Sequence, residues 1–583
     1  MNLRASCSLL ACACITVVSC APDKNIPPVE PAASPAFRQF VDDYFKAYFE
    51  FNPSQATGDG FHEYDSKLED FSASAIDGRV AALRSLATRL AALQHDKLAV
   101  EESVDAEILD GQIKSELQDI EVLQTWHKNP MGYVGVPGGA IDVLMKRDFA
   151  PAQDRLRSIV ARMQGIPKFL QSLKQNVAEP PKEFTDLAIR MAQGSVGFFK
   201  DSVATWAKTA EGGDKRLKKD FDAANQAVVK ALEETTRYLK NDLLPKSKGS
   251  YAIGAKNFSD KLAYDDMVDI PLDRLLAIGQ ANLDKDYNDF VETAKLIDPT
   301  KSPAVVMKTI TNDHPTENNL IPTAKNTLES IRQFIVNHKI VTIPSEVRPI
   351  VTETPPYARS GTFASMDTPG PYERKAKEAF YYVTPVEKDW TPQHKDEHLR
   401  GYSRPVLDMI SIHEVYPGHF VQFLYVSKFP TKTRKLTFCS SNVEGWAHYC
   451  EQMMVEQGFG NSDPKIKLAQ LSEALLRDCR YVVGIKLHTQ GMRVADGAKV
   501  FVDKAFMEPA NAYEEARRGA YNPTYLYYTL GKLQIYKLRE DYKRAKGEAF
   551  SLETFHNEFV KQGGIPLKLM RQILLPGDTQ PML

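Results

Sequence analysis

Apolar residues recur at helical spacing along most of the chain. Val80, Leu83, Ala87 and Leu90 keep that spacing, as do Val104, Ile108, Ile113, Leu117 and Ile120. A further stretch, residues 221–239, carries Ala224, Val228 and Leu232 on one stripe. Charged residues punctuate these segments in the way that solvated helix faces require. No motif returns at a fixed period, which excludes a solenoid. The pattern predicts a mainly α protein.

The middle of the chain differs. Between Ile340 and Asp389 prolines are frequent and the helical period fades. Two short runs read as extended, residues 340–343 and residues 379–383. The second contains Phe380, Tyr381 and Tyr382 and stops at Thr384-Pro385. It has two readings. It is either an aromatic loop packed on the core or an exposed strand that pairs with a substrate backbone, with Tyr382 as a substrate contact.

Helical patterning resumes at Arg404. Val406, Leu407, Met409, Ile410 and Ile412 make the next segment apolar nearly all round, so the helix is buried. It runs into His413-Glu414-Val415-Tyr416-Pro417-Gly418-His419. Burying a histidine and a glutamate costs several kcal/mol unless they are paired or bind a metal. The order is close to H-E-x-x-H, in which histidines four apart share a helix face, bind one zinc ion, and leave the glutamate as general base. Here the histidines are six apart, which would turn them roughly 120° from each other on a straight helix. Pro417 lacks the N–H that would bond to the carbonyl of His413, and its ring clashes with that carbonyl. The helix must therefore be disturbed. Either a local bulge swings His419 back toward His413, or the helix ends at Tyr416 and His419 opens the next one as a core or capping residue.

A catalytic zinc site needs a third protein ligand. Downstream, Glu444, His448 and Glu451 fall at i, i+4 and i+7, on one helix face. Val443, Trp446, Ala447 and Tyr449 crowd round them, so this helix is also buried. One of the three polar residues is a potential ligand, and the others would support it from behind.

HEVYPGH and EGWAHYCE together resemble a bacterial family of secreted, mostly helical proteins whose shared domain has no assigned function. Through it the chain is similar to the glutamate-zincin metallopeptidases, the class of thimet oligopeptidase, Taq carboxypeptidase and angiotensin-converting enzyme. The resemblance also takes in residues 480–488 and 517–533 and, more loosely, most of the chain. It implies a large helical metallopeptidase-like body with a small β element near the active site. It implies Zn2+ as cofactor, His413, His419 and Glu444 as its ligands, and Glu414 as general base. It also implies an oxyanion donor, for which Tyr528 stands in the late helix that supplies a tyrosine in that class. Tyr525, Tyr527 and Tyr528 form a cluster, however, and packing is the competing role for all three. His488 is a substrate contact on the same resemblance, or else a core histidine. Arg518 or Arg517 has the fork needed to hold a substrate carboxylate, the competing role being an ion pair with Glu514 or Glu515. Phe420 and Gly484 depart from the family pattern, which has a second histidine and an acid there.

The chain has 583 residues and a formal net charge of -2 with acids and bases interspersed, which gives no electrostatic case for nucleic acid. Its start reads as a processed leader. Arg4 precedes an apolar run at residues 9–18, too short to span a bilayer, and Val17-Val18-Ser19-Cys20 resembles a bacterial lipoprotein box with Cys20 as the lipidated residue. Residues 1–20 are then a lipoprotein signal, 21–36 a tether, 37–250 an N-terminal helical region and 251–583 a catalytic helical region. Ala21, by resemblance to the bacterial sorting rule, points to the outer membrane facing the periplasm, with the lipid as the sole membrane anchor. Cys439, Cys450 and Cys479 remain, too few for a disulfide framework. The expectation is zinc-dependent hydrolysis of oligopeptides by an envelope lipoprotein. A non-catalytic envelope lipoprotein and a metal-dependent hydrolase of a non-peptide amide are the alternatives. The sequence assigns no oligomeric state.

Overall fold

The computed structural model describes residues 34–93 and 98–583. The leader, Cys20 and most of the expected tether lie outside these residues. The chain is mainly α, as its periodicity predicts. No helix among the described residues is long and apolar enough to cross a membrane.

The first helix, α1 (Pro35–Phe51), begins two residues inside the expected tether. Proline suits the first helical position because its missing N–H has no partner there in any case. Phe37, Phe40, Phe45 and Phe49 of α1 pack with Leu83, Leu109 and Ile113. Helix α2 (Val100–Leu117) carries the second predicted stripe and widens into a π turn over Gln118–Leu123. Helices α3 (Pro130–Met145), α4 (Ala152–Asn176), α5 (Lys182–Phe198) and α6 (Lys215–Tyr238) share two further cores. Ala224, Val228 and Leu232 point inward from α6, as their spacing predicts.

The large core of the second half runs from Leu283 to Leu575, but it also takes in Val104 and Ile108 of α2. Conversely, Ala376 belongs to a core of the first half. Packing therefore crosses the boundary placed at residue 250.

Three short strands, β1 (Ile350–Glu353), β2 (Ala364–Asp367) and β3 (Phe380–Val383), form one sheet in the order β1-β3-β2. β3 runs parallel to β1 and antiparallel to β2. Two expectations need correction here. Residues 340–343 form no strand; Ile340 and Val341 are core residues after a helix end. Nor is the aromatic run an exposed strand. β3 is the central strand, both of its edges are paired, and Tyr382 is buried. The apolar Phe-Tyr-Tyr-Val segment takes the middle, whereas the shorter-chained Ala-Ser-Met-Asp segment of β2 is left at the edge.

The triad sits on helices from the last third of the chain, backed by one from its middle. Helix α7 (Leu272–Ile297) packs along α11 (Pro464–Thr489), while α8 (Arg404–Glu414) and the short α9 (His419–Leu424) lie against α10 (Ser440–Glu456). Helices α12 (Pro509–Tyr521) and α13 (Tyr527–Lys546) close the far side. α10 and α13 meet through glycines. A Cβ on Gly445 would lie 2.5 Å from the Cα of Gly531, and one on Gly531 would lie 1.8 Å from the carbonyl oxygen of Ser441. Two backbones this close leave no room for side chains, and this contact sets the position of Glu444 relative to Tyr528.

Candidate metal centre

Helix α8 ends at Glu414, one residue after His413. The N–H groups of Val415 and Tyr416 both reach back to the Ser411 carbonyl, at 2.9 and 3.1 Å, and that of Gly418 bonds to the Ile412 carbonyl at 3.0 Å. The Tyr416–Pro417 peptide is cis. The chain thus folds back under the end of α8, and a Cβ on Gly418 would lie 1.8 Å from the His413 carbonyl oxygen, so only glycine fits. His419 then opens α9. The expected bulge in a continuing helix is corrected to a full break between two helices. The break nonetheless brings the two imidazoles together, with ring centroids 4.9 Å apart and planes at 90°.

Glu444 completes the group. Its Oε2 lies 3.3 Å from Nε2 of His413 and 3.3 Å from Nε2 of His419. The three donor atoms all fall within 4.8 Å of one another. Ligands at about 2.0–2.2 Å from a tetrahedral zinc ion lie roughly 3.3–3.6 Å apart, so this donor set fits that ion in type, and the carboxylate–imidazole separations fit it in spacing. Two imidazoles and one carboxylate also leave a fourth position open.

A second row of charges orients the first. Nδ1 of His413 donates to Oε1 of Glu451 at 2.7 Å, which turns Nε2 toward Glu444. Glu451 is wholly buried and takes two more donors, Nδ1 of His448 at 3.3 Å and the Arg477 guanidinium at 3.2 Å. The face of α10 read from sequence therefore divides its labour, with Glu444 toward the site and Glu451 and His448 behind it. Arg477 also pairs with Glu473. Trp446 ties the motifs together through its indole N–H, which donates to the Pro417 carbonyl at 3.0 Å.

The electrostatics follow from these contacts. Burial opposes a charge on His413, but hydrogen bonds to Glu444 and Glu451 outweigh it and raise the imidazole to about 9. Burial likewise pushes the Glu444 carboxyl up, yet the two histidines hold it well below the usual carboxylate range. Burial, aided by the nearby Lys532 charge, drives His448 down to about 3, so it stays neutral. Burial and the Glu444 charge raise the Tyr528 phenol, which keeps its proton at neutral pH.

The triad forms part of the wall of a cavity of about 750 Å³. Glu414, Tyr528 and Arg518 line it beside the histidines, and the edge strand β2 lines it from Ala364 to Met366. Met307, Ile410, Phe423 and Phe506 make much of the rest apolar. A second cavity of about 560 Å³ shares Met366 and Phe423 with the first.

The other sequence-derived site residues divide. Tyr528 lies 6.2 Å from His413, ring to ring, and accepts a hydrogen bond from Arg518 at 3.4 Å. The ion pairs expected of Arg518 go to its neighbours, since Glu514 pairs with Arg517 and Glu515 with Arg480. The substrate-contact role of His488 is corrected. Its ring is buried among Tyr251 and Phe258, its Nε2 bonds to the Gly519 carbonyl at 2.8 Å, and it is absent from the cavity lining. It ties α11 to α12. Tyr382 is likewise absent from the cavity, and β2 takes the place assigned to its strand. Gly484 packs against Tyr525, and Phe420 is a core residue. Sequence reasoning missed Arg477. The available signal was a triplet of charges, Arg477, Asp478 and Arg480, inside a helix otherwise apolar enough to be buried, where each charge needs a partner.

Residues 53–574 match the bacterial family described as "Bacterial protein of unknown function (DUF885)", and the chain belongs to it. Two solved structures share the fold. A Shewanella oneidensis protein described as a candidate lipoprotein of unknown function is 27% identical, covers 93% of this chain and 100% of its own, and superposes with a TM-score of 0.75. A Colwellia psychrerythraea protein, also described as a candidate lipoprotein, is 17% identical, covers 92% and 98%, and gives a TM-score of 0.75. No curated protein matches the chain in sequence.

Proposed function

We propose that this member of the family is a zinc peptidase of the bacterial cell envelope that hydrolyses short peptides and is anchored by lipid at Cys20. The observation that carries the proposal is the convergence of His413, His419 and Glu444 on the wall of a cavity that Glu414 and Tyr528 also line. The resemblance of HEVYPGH and EGWAHYCE to the glutamate zincins supports the same reading. The lipoprotein box before Cys20 and the descriptions of the two solved relatives support the anchor.

His413, His419 and Glu444 would hold the ion. When bound, zinc supplies an acidified water and polarises the scissile carbonyl. Glu414 accepts the proton of the attacking water and returns it to the leaving amine. Tyr528, held protonated by burial, donates its O–H to the developing oxyanion while Arg518 donates to the phenol oxygen. The free edge of β2 offers unpaired backbone groups to an extended peptide. A walled cavity of this size suits short peptides over folded proteins.

The test digests a peptide library with the zinc-loaded protein and with Glu414→Gln. The wild type cleaves, and the variant keeps its zinc but loses roughly 10²–10⁴-fold in rate. Full activity in the variant would remove Glu414 as the base. Glu444→Ala loses the metal, and unchanged zinc stoichiometry would remove Glu444 from the ligand set. Zinc bound with no turnover of any peptide would favour a non-catalytic lipoprotein or a hydrolase of another amide.

A further inference from the structure

The cavity wall next to Tyr528 carries three arginines, Arg477, Arg480 and Arg518. Two are neutralised by the protein. Arg477 pairs with Glu451 and Glu473, and Arg480 makes a two-pronged pair with Glu515 at 2.8 and 3.0 Å. Arg518 takes part in no ion pair among the described residues. Its guanidinium lies 5.4 Å from the Tyr525 ring centroid and donates to the Tyr528 hydroxyl at 3.4 Å. Glu515, the acid whose charge acts on Arg518, has its oxygens taken by Arg480 and by the Tyr525 hydroxyl at 2.5 Å. A guanidinium this enclosed is always charged, and its fork of donors matches a carboxylate. It faces the cavity with a positive charge that the fold leaves unbalanced.

The geometry points to Arg518 as the anchor for the C-terminal carboxylate of the substrate, which makes the enzyme a carboxypeptidase that removes the last residue of a peptide. The inference rests on the peptidase reading above and adds the substrate end and the bond cut. Distance sets the register. Tyr528 sits where the scissile carbonyl oxygen is received, and Arg518 is 3.4 Å from its hydroxyl. Successive Cα atoms are about 3.8 Å apart, so one residue spans the gap between a carbonyl at Tyr528 and a carboxylate at Arg518. Beyond Arg518 the wall is filled. Arg480, Glu515 and Tyr525 are buried and bonded to one another behind it. The preceding residues of the peptide would lie in the apolar remainder of the cavity.

The experiment compares three peptides of one sequence: the free acid, the C-terminal amide, and an amide whose last residue is replaced by Glu. Wild type, Arg518→Gln and Arg518→Lys, all zinc-loaded, are assayed by kcat/KM and by product mass. The wild type favours the free acid over the amide by roughly tenfold to a hundredfold, the worth of a charged hydrogen-bonded pair, and releases a single residue. Arg518→Gln brings the ratio near one, because the acid loses its anchor in addition to the support of Tyr528 that both peptides lose. Arg518→Lys keeps the charge without the fork and retains part of the preference. Equal cleavage of acid and amide by the wild type, an unchanged ratio in Arg518→Gln, or full recovery by the Glu-ended amide would overturn the proposal, the last by assigning the site to a side-chain carboxylate. Binding of the acid and the amide to zinc-loaded Glu414→Gln, with and without Arg518→Gln, reads the same preference without catalysis. If no peptide is hydrolysed, the peptidase reading fails while this binding ratio still decides the anchor.

Discussion

The indole N–H of Trp446 donates to the carbonyl of Pro417 at 3.0 Å, joining the helix that carries Glu444 to the loop between His413 and His419. All three residues of the triad are thereby referred to one buried contact. Trp446 is fully buried and stacks on Phe559, so the donor has no freedom to move away.

Trp446→Phe tests this tie. Phenylalanine fills most of the space but strands the Pro417 carbonyl, a loss of about 1–3 kcal/mol for a buried unpaired polar group. The loop that sets the angle between His413 and His419 is also freed. Zinc affinity is expected to fall roughly 10–100-fold, as for loss of other supports behind metal ligands. Chelator competition measures it. Unchanged affinity would mean that the loop is held by its own backbone bonds to Ser411 and Ile412.

The contact between Gly445 and Gly531 makes a second prediction. A methyl group at Gly531 would meet the Ser441 carbonyl at 1.8 Å, and neither neighbour is a flexible side chain. Gly531→Ala must push α10 from α13 and is expected to cost about 3 kcal/mol or more by urea unfolding. It also weakens zinc binding, because Glu444 rides on α10. Gly132→Ala is the control. Gly132 is helical and exposed, with nothing within 4 Å of an added Cβ, so alanine there is neutral or stabilises by up to about 1 kcal/mol. A tolerant Gly531→Ala would show that the helices can separate without loss.

These residues mark how far the sequence could be read. The helices were legible because their apolar stripes repeat, and α6 buries the residues its spacing singles out. The triad was legible as a candidate because His413 and Glu444 sit in helices too apolar to hide a lone charge. What periodicity cannot carry is the order of strands or the path of a break. The aromatic run of β3 left a packed loop and an exposed strand both open, because the sheet order depends on β1 and β2, which have four residues each and no turn signature linking them to it. The geometry at Pro417 was visible only as a disturbance. Whether it bulges or breaks is decided by backbone bonds to Ser411 and by Gly418 fitting against His413. His488 was assigned through resemblance, and its partner is a backbone carbonyl that no side-chain pattern announces.

The last prediction concerns pH. In the metal-free site the His413 imidazole is held up at about 9, against an ordinary value near 6.5, because Glu444 and Glu451 outweigh the burial that opposes its charge. The sign follows from linkage. A group whose folded value is raised stabilises the fold fully below its unfolded value, and that contribution is lost as pH rises from about 6.5 through about 9. Zinc requires the same nitrogen without its proton, so uptake of the metal expels a proton below pH 9. Affinity should therefore strengthen by up to about tenfold per pH unit from about 6.5 and level off as pH reaches about 9. The metal-free protein should lose thermal stability over that window while the gap to the zinc-loaded protein widens. Chelator-buffered titrations at several pH values, with melting curves of both forms, check the two limbs together. Glu451→Gln removes one of the two carboxylates that raise His413 and should move the onset of the affinity plateau to lower pH. If affinity proves flat over the window, His413 does not carry the displaced proton.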